Sequence, residues 1–99
     1  MNIVVLSRDS KLYSTTRLVE AIEARGHTAR VVNHVKCDIL IEKKNPQVIY
    51  GGQPLTDVDA IIPRIGASVT FYGTAVVRQF EMMKVFTTTE SQALVRSRD

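Results

Sequence analysis

Apolar residues follow two rhythms along this chain. Asn2-Ile3-Val4-Val5-Leu6 is a near-continuous β-branched run, the pattern of a strand covered on both faces in a parallel sheet. The polar loop Ser7-Arg8-Asp9-Ser10-Lys11 follows at its carboxyl end. Beyond it the rhythm changes. Leu18, Ala21, Ile22 and Arg25 fall three to four apart, which places them on one face of a helix. Ser14 suits the N-cap, with Tyr13 and Leu18 as a hydrophobic staple across the first turn. Gly26 stands where a left-handed residue closes a helix, and Thr28 to Val32 returns to the strand pattern. Strand, helix, glycine and strand within about thirty residues make a βαβ unit, whose crossover is expected to be right-handed.

A second block follows. Cys37 to Glu42 carries Ile39, Leu40 and Ile41 as a further short strand, ended by Glu42-Lys43-Lys44-Asn45-Pro46. Val48-Ile49-Tyr50, Gly51-Gly52 and Gln53-Pro54-Leu55 have the spacing of a hairpin whose two-residue turn needs positive φ, and Pro54 marks an edge strand. Ala60-Ile61-Ile62 reads as a buried strand that stops at Pro63, because proline lacks the N–H a helix would use. A helix is expected from Val69 to Met83, with Val69, Tyr72, Val76, Phe80 and Met83 toward the sheet and Thr70, Thr74, Arg78 and Glu81 away from it. Gly73 inside that helix costs about 1 kcal/mol against alanine, which points to a close approach there. Val85-Phe86-Thr87 is a last strand, and Thr89 with Gln92 suggests a capping box for a final helix. The fold class is therefore α/β, a three-layer Rossmann-like open and mainly parallel sheet with a β-hairpin insertion, in one domain over residues 1–99.

Composition narrows the function classes. With 44% hydrophobic and 23% charged residues in 99, the chain is an ordinary folded domain with one core. No apolar run is long enough to cross a membrane and no basic leader precedes one, so a cytoplasmic location is expected. The single cysteine, Cys37, suits a buried position better than a metal site. The net charge of +3 is scattered, without the basic stripe of a nucleic-acid interface. His27 and His34 lack acidic or cysteine companions at ligand spacing, so no metal site is expected. Gly51-Gly52 joins hairpin strands and is no phosphate loop, so no nucleotide site is expected within this stretch.

The candidate chemistry lies where strands end. Arg8 and Arg64 both follow buried parallel strands, and ligands of open α/β sheets bind at the carboxyl edge. Two guanidinium groups over one crevice would clamp a carboxylate or phosphate. The plainer alternative is a pair of surface arginines in loops. Ser7, Gly66, Tyr72 and Gly73 would shape the same pocket, although Tyr72 serves equally well as core.

At these residues a resemblance emerges. Leu6-Ser7-Arg8-Asp9 with Leu12-Tyr13-Ser14, Ile62-Pro63-Arg64-Ile65-Gly66, Phe71-Tyr72-Gly73, Arg78-Gln79-Phe80-Glu81-Met82 and Glu90-Ser91 through Arg98-Asp99 resemble, in order, the amino-terminal preATP-grasp domain of RimK, the ribosomal-protein glutamate ligases of the ATP-grasp superfamily. The chain departs at Thr89, where an asparagine is expected, and matches loosely from Asn33 to Gln53. The resemblance implies a three-domain ligase about three times this length, which uses ATP and magnesium to couple glutamate to the carboxyl terminus of a small-subunit ribosomal protein. It places ATP and magnesium in the central and carboxyl-terminal domains, so the 99-residue stretch is expected to be inactive alone. Ser7, Arg8, Arg64, Gly66, Tyr72 and Gly73 become substrate-binding candidates, with no catalytic residue among them. Self-assembly stays open, as does the alternative of a free-standing, non-catalytic binding or regulatory module.

Overall fold

The computed structural model describes residues 1–9, 11–42, 44–64 and 71–88. In chain order these form β1 (Asn2–Leu6), α1 (Tyr13–Ala24), β2 (Thr28–Val32), a short 3₁₀ turn (His34–Lys36), β3 (Cys37–Leu40), β4 (Gln47–Tyr50), β5 (Gln53–Pro54), β6 (Ala60–Pro63), α2 (Phe71–Met82) and β7 (Phe86–Thr87). Four strands make a parallel sheet in the order β2-β1-β6-β7, and the other three make a separate sheet in the order β3-β4-β5. The second sheet is antiparallel throughout. The Rossmann-like, mainly parallel sheet with its hairpin insertion is thus what the chain adopts.

The β-branched run of β1 explains why it is central. Its residues pair with Thr28 to Val32 on one side and with Ala60 to Pro63 on the other. Side chains alternate between faces with period two, and both faces are covered. Ile3, Val5 and Ile62 pack with Leu18 and Ile22 of α1. Val4, Leu6 and Ile61 pack with Val76 and Phe80 of α2 and with Cys37, Val48 and Leu55 from the antiparallel sheet. Helix, parallel sheet, then helix with a small sheet are the three layers.

Gln79 ties the third layer together. It is 4% exposed on α2, and its Nε2 donates to the carbonyls of Leu40 at 2.8 Å and Gln47 at 3.1 Å. Those carbonyls belong to the paired strands β3 and β4, so one side-chain amide fastens α2 to the small sheet. The hairpin turn uses Gly51 at φ 61° and Gly52 at φ 78°, the left-handed pair a primed turn needs. Pro54 lies on the edge strand of that sheet, where no ladder N–H is required.

Both helices close alike. Gly26 has φ 84° and Lys84 φ 64°. In each case the left-handed residue and its successor donate back to the last turn: Gly26 N–H to Glu23 and His27 N–H to Ile22, Lys84 N–H to Glu81 and Val85 N–H to Phe80. This is the Schellman closure.

The start of α1 departs from the sequence reading. The helix begins at Tyr13, its N-cap is Leu12 without a side-chain cap bond, and Tyr13 is 76% exposed. Ser14 is therefore no cap, and Tyr13 and Leu18 form no staple. Asp9 organises the turn instead, because its Oδ1 accepts the Lys11 N–H at 2.8 Å and its carbonyl receives the Leu12 N–H at 3.5 Å. That earlier Asx turn starts the helix before Ser14 can act. The helix expected from Thr89 onward lies outside the described residues.

Candidate substrate-binding edge

β1 runs between β2 and β6, so the chain leaves β1 to one side and later returns on the other. The carboxyl ends of β1 and β6 therefore flank the reversal in strand order, the place where open α/β sheets form a ligand crevice. Leu6 pairs with Pro63, and the Arg64 N–H donates to the Leu6 carbonyl at 2.8 Å. Arg8 and Arg64 thus emerge from neighbouring strands at one edge. Arg8 is exposed and Arg64 half-buried.

Ser7 extends the ladder by one residue, its N–H donating to Val32 at 3.0 Å. Its buried hydroxyl donates to the Asp9 carbonyl at 3.2 Å, accepts the Asp9 N–H at 3.3 Å and lies 3.3 Å from Thr15 Oγ1 on α1. The hydroxyl is fully used in shaping the loop, which makes Ser7 a positioning residue for Arg8. Gly73 is buried in the first turn of α2. Gly66 lies outside the described residues, as does the side chain of Tyr72.

At this edge the structure has a hollow of about 230 Å³ on the β2 side of β1, lined by Ser7, Arg8, Asp9, Lys11, Val31, Asn33, Lys36 and Tyr50. Arg64 is not part of this lining. Lys11 shares the loop of Arg8 and was legible as a neighbour. Lys36 and Asn33 arrive from the turn after β2, and Tyr50 from the antiparallel sheet, so only tertiary packing brings them here. Asn33 holds its turn by accepting the Val35 N–H at 3.0 Å, and its amide donates to the Arg8 carbonyl at 3.4 Å. Behind the wall, the Arg30 guanidinium lies 5.6 Å from the centre of the Tyr50 ring, a cation–π distance.

His34 is buried at the same edge, 0% exposed, and neither ring nitrogen has a hydrogen-bond partner among the described residues. Burial and then the nearby Arg8 charge push its pKa below 6.5, so it is neutral at pH 7. Cys37, 1% exposed, has its thiol pushed up to about 11 by burial and by Asp38. A protonated thiol there is a small core side chain, not a nucleophile.

The opposite edge has the larger hollow, about 470 Å³, lined by Pro46, Pro54, Leu55, Val58, Met82, Met83 and Val85 together with polar neighbours. Its chain ends are latched. The Asn2 N–H donates to Asp59 Oδ2 at 2.7 Å, the Asn2 side-chain amide to the Asp57 carbonyl at 2.8 Å, and the amino terminus lies 3.0 Å from His27 Nδ1.

Residues 1–94 match the family described as the RimK PreATP-grasp domain. The chain belongs to that family. RimK-like relatives agree over its whole length: probable alpha-L-glutamate ligases of Hydrogenovibrio crunogenus and Aliivibrio fischeri are 60% and 58% identical over 99 residues, all of this chain and 33% of each relative. The chain thus spans about a third of the length of these curated relatives. The macrocyclase MdnB of Microcystis aeruginosa superposes with a TM-score of 0.59 at 14% identity, over 87% of this chain and 39% of that one. At that identity the likeness is one of fold, and it places the RimK preATP-grasp arrangement in the same architecture as the chain described here. No helix among the described residues is long and apolar enough to cross a membrane.

Proposed function

We propose that this chain is the amino-terminal wall of the substrate cleft in an ATP-dependent carboxylate–amine ligase, which adds glutamate to the carboxyl terminus of a small-subunit ribosomal protein. The observation that carries the reading is the emergence of Arg8 and Arg64 from adjacent parallel strands at the strand-order reversal. Family membership and the names of the relatives support the ligase chemistry.

In this reading ATP, with magnesium, supplies the activation of a carboxylate as an acyl phosphate, and an amine displaces the phosphate. Among the described residues no three His, Cys, Asp or Glu side chains gather as metal ligands, and the nucleotide and metal are assigned to the rest of the ligase. The residues of this chain bind and orient. Glutamate and a glutamylated terminus are anionic, and an arginine fork holds two carboxylate oxygens in a fixed plane. Fixing a carboxylate beside the reacting centre lowers the entropic part of the barrier. Ser7 and the Asp9 turn hold the Arg8 loop in place, so that little ordering remains when substrate arrives.

The test places this domain in a full-length ligase and measures glutamate transfer. Arg64→Ala is expected to raise KM for the acidic substrate about tenfold or more, the equivalent of one charge-assisted hydrogen bond, while KM for ATP stays within about twofold. Unchanged transfer kinetics in both Arg8→Ala and Arg64→Ala would remove the reading.

A further inference from the structure

We infer that the hollow between the β1–α1 loop and the turn after β2 is a second anion site, separate from the Arg64 side of the crevice, which takes the neighbouring side chains of an acidic peptide. This rests on the ligase reading for its biological sense but not for its geometry.

Three cations, Arg8, Lys11 and Lys36, line a hollow of about 230 Å³ against one acid, Asp9. None of the three has an ion pair among the described residues, and all three are exposed. The size excludes a whole cofactor, since pockets for such ligands run to about 300–1,000 Å³. It suits one or two side chains.

The loop's own hydrogen bonds decide between anions. A phosphate cradle is built from backbone N–H groups that point at the ligand. Here those of Ser7, Asp9, Lys11 and Leu12 are spent on Val32, the Ser7 hydroxyl, the Asp9 carboxylate and the Asp9 carbonyl. Those of Val35 and Lys36 are spent on Asn33. Attraction must therefore come from long side chains rooted on two separate segments, an arrangement that fits carboxylates spaced along a peptide better than one compact dianion.

Asp9 sharpens the choice. One of its oxygens accepts the Lys11 N–H, and no bond to the other is formed among the described residues. That oxygen repels a phosphate but accepts a peptide N–H. Tyr50, stacked under Arg30, offers a flat wall for the methylenes of a glutamyl side chain. Cations, one acceptor and an aromatic wall match a run of glutamyl residues: carboxylates, backbone N–H groups and short apolar stems. The site would hold residues already present on the acceptor while Arg64 faces the one being joined.

The test is a titration of the 99-residue chain with tetraglutamate, followed through its backbone amide resonances, with tetraglutamine, inorganic phosphate and hexauridylate as separate arms at matched ionic strength. Saturable shifts at Arg8, Lys11, Asn33 and Lys36 with tetraglutamate alone are expected. Lys11→Glu with Lys36→Glu should weaken binding about a hundredfold, about tenfold per lost charge-assisted contact, while Lys36→Arg retains it. No saturable shift, an equal response to phosphate, tighter binding of hexauridylate, or undiminished binding in the double variant would overturn the inference. The ligase reading is tested at Arg64, which does not line the hollow, so one can fail while the other stands.

Discussion

The two edges of the parallel sheet are made by the same strands and do opposite things. At the amino edge the larger hollow is largely apolar, and the residues around it use their polar groups on one another: Asn2 holds Asp59 and the Asp57 carbonyl, and strand ends are stitched by Thr28 to Met1, Asp59 to Asn2 and Phe86 to Asp59. At the carboxyl edge the backbone is equally well bonded, but the cations Arg8, Lys11 and Lys36 form no ion pair among the described residues. Cavity size is thus a poor guide here. What distinguishes a binding edge from a latch is charge that the fold leaves without an internal partner, because such charge repels itself until an anion arrives.

Substitutions can break that contrast at different depths. Phe80→Ala should do most, because Phe80 is fully buried in the core that joins both sheets to α2. A loss of about 3–5 kcal/mol is expected, seen in chemical denaturation, and both edges should fail together.

Asp59→Ala should cost about 1–2 kcal/mol through the charge-assisted bond from Asn2 without altering tetraglutamate binding. Lys36→Glu should do the converse, with stability within about 0.5 kcal/mol of the parent and binding weakened. Equal stability losses from the two, measured by urea unfolding, would erase the distinction between latch and binding edge.

Lys84→Gly should stabilise by about 1 kcal/mol, the usual cost of a left-handed non-glycine residue, read as a raised urea midpoint with unchanged slope. Its counterpart Gly26 already has the favoured residue, so Gly26→Ala should be destabilising. The same geometry at both helix ends makes this pair an internal control.

The last test is pH. His34 has its pKa below 6.5 in the folded chain, so the unfolded state takes up its proton first on acidification. The stability tied to its neutral form is complete above pH 6.5 and is lost as the pH falls toward the lowered folded value. His34→Leu should flatten the slope of unfolding free energy between pH 7 and 5. An unchanged slope would mean that His34 is not the group responsible.

Much of this was legible from residue order. The runs Ile3–Leu6 and Ala60–Ile62, the glycine at 26, the Gly51-Gly52 turn and the Val76–Phe80 spacing each state a local preference that the fold obeys. The arginines after two strands marked the edge. Ser14 misled, because a cap assignment compares one residue with its helix and cannot see that Asp9 closes the turn sooner. Lys36 and Tyr50 gave no signal, since each is an ordinary residue in its own segment.

Period and chain direction are local, and they suffice to say that β1 and β6 are buried strands followed by arginines. Which strands are neighbours depends on contacts between segments far apart in sequence, and so does the seating of the small sheet by Gln79. Only that packing puts Tyr50 and Lys36 beside Arg8 and makes a hollow out of three separate stretches of chain, because a cavity is a property of surfaces brought together and not of any one of them.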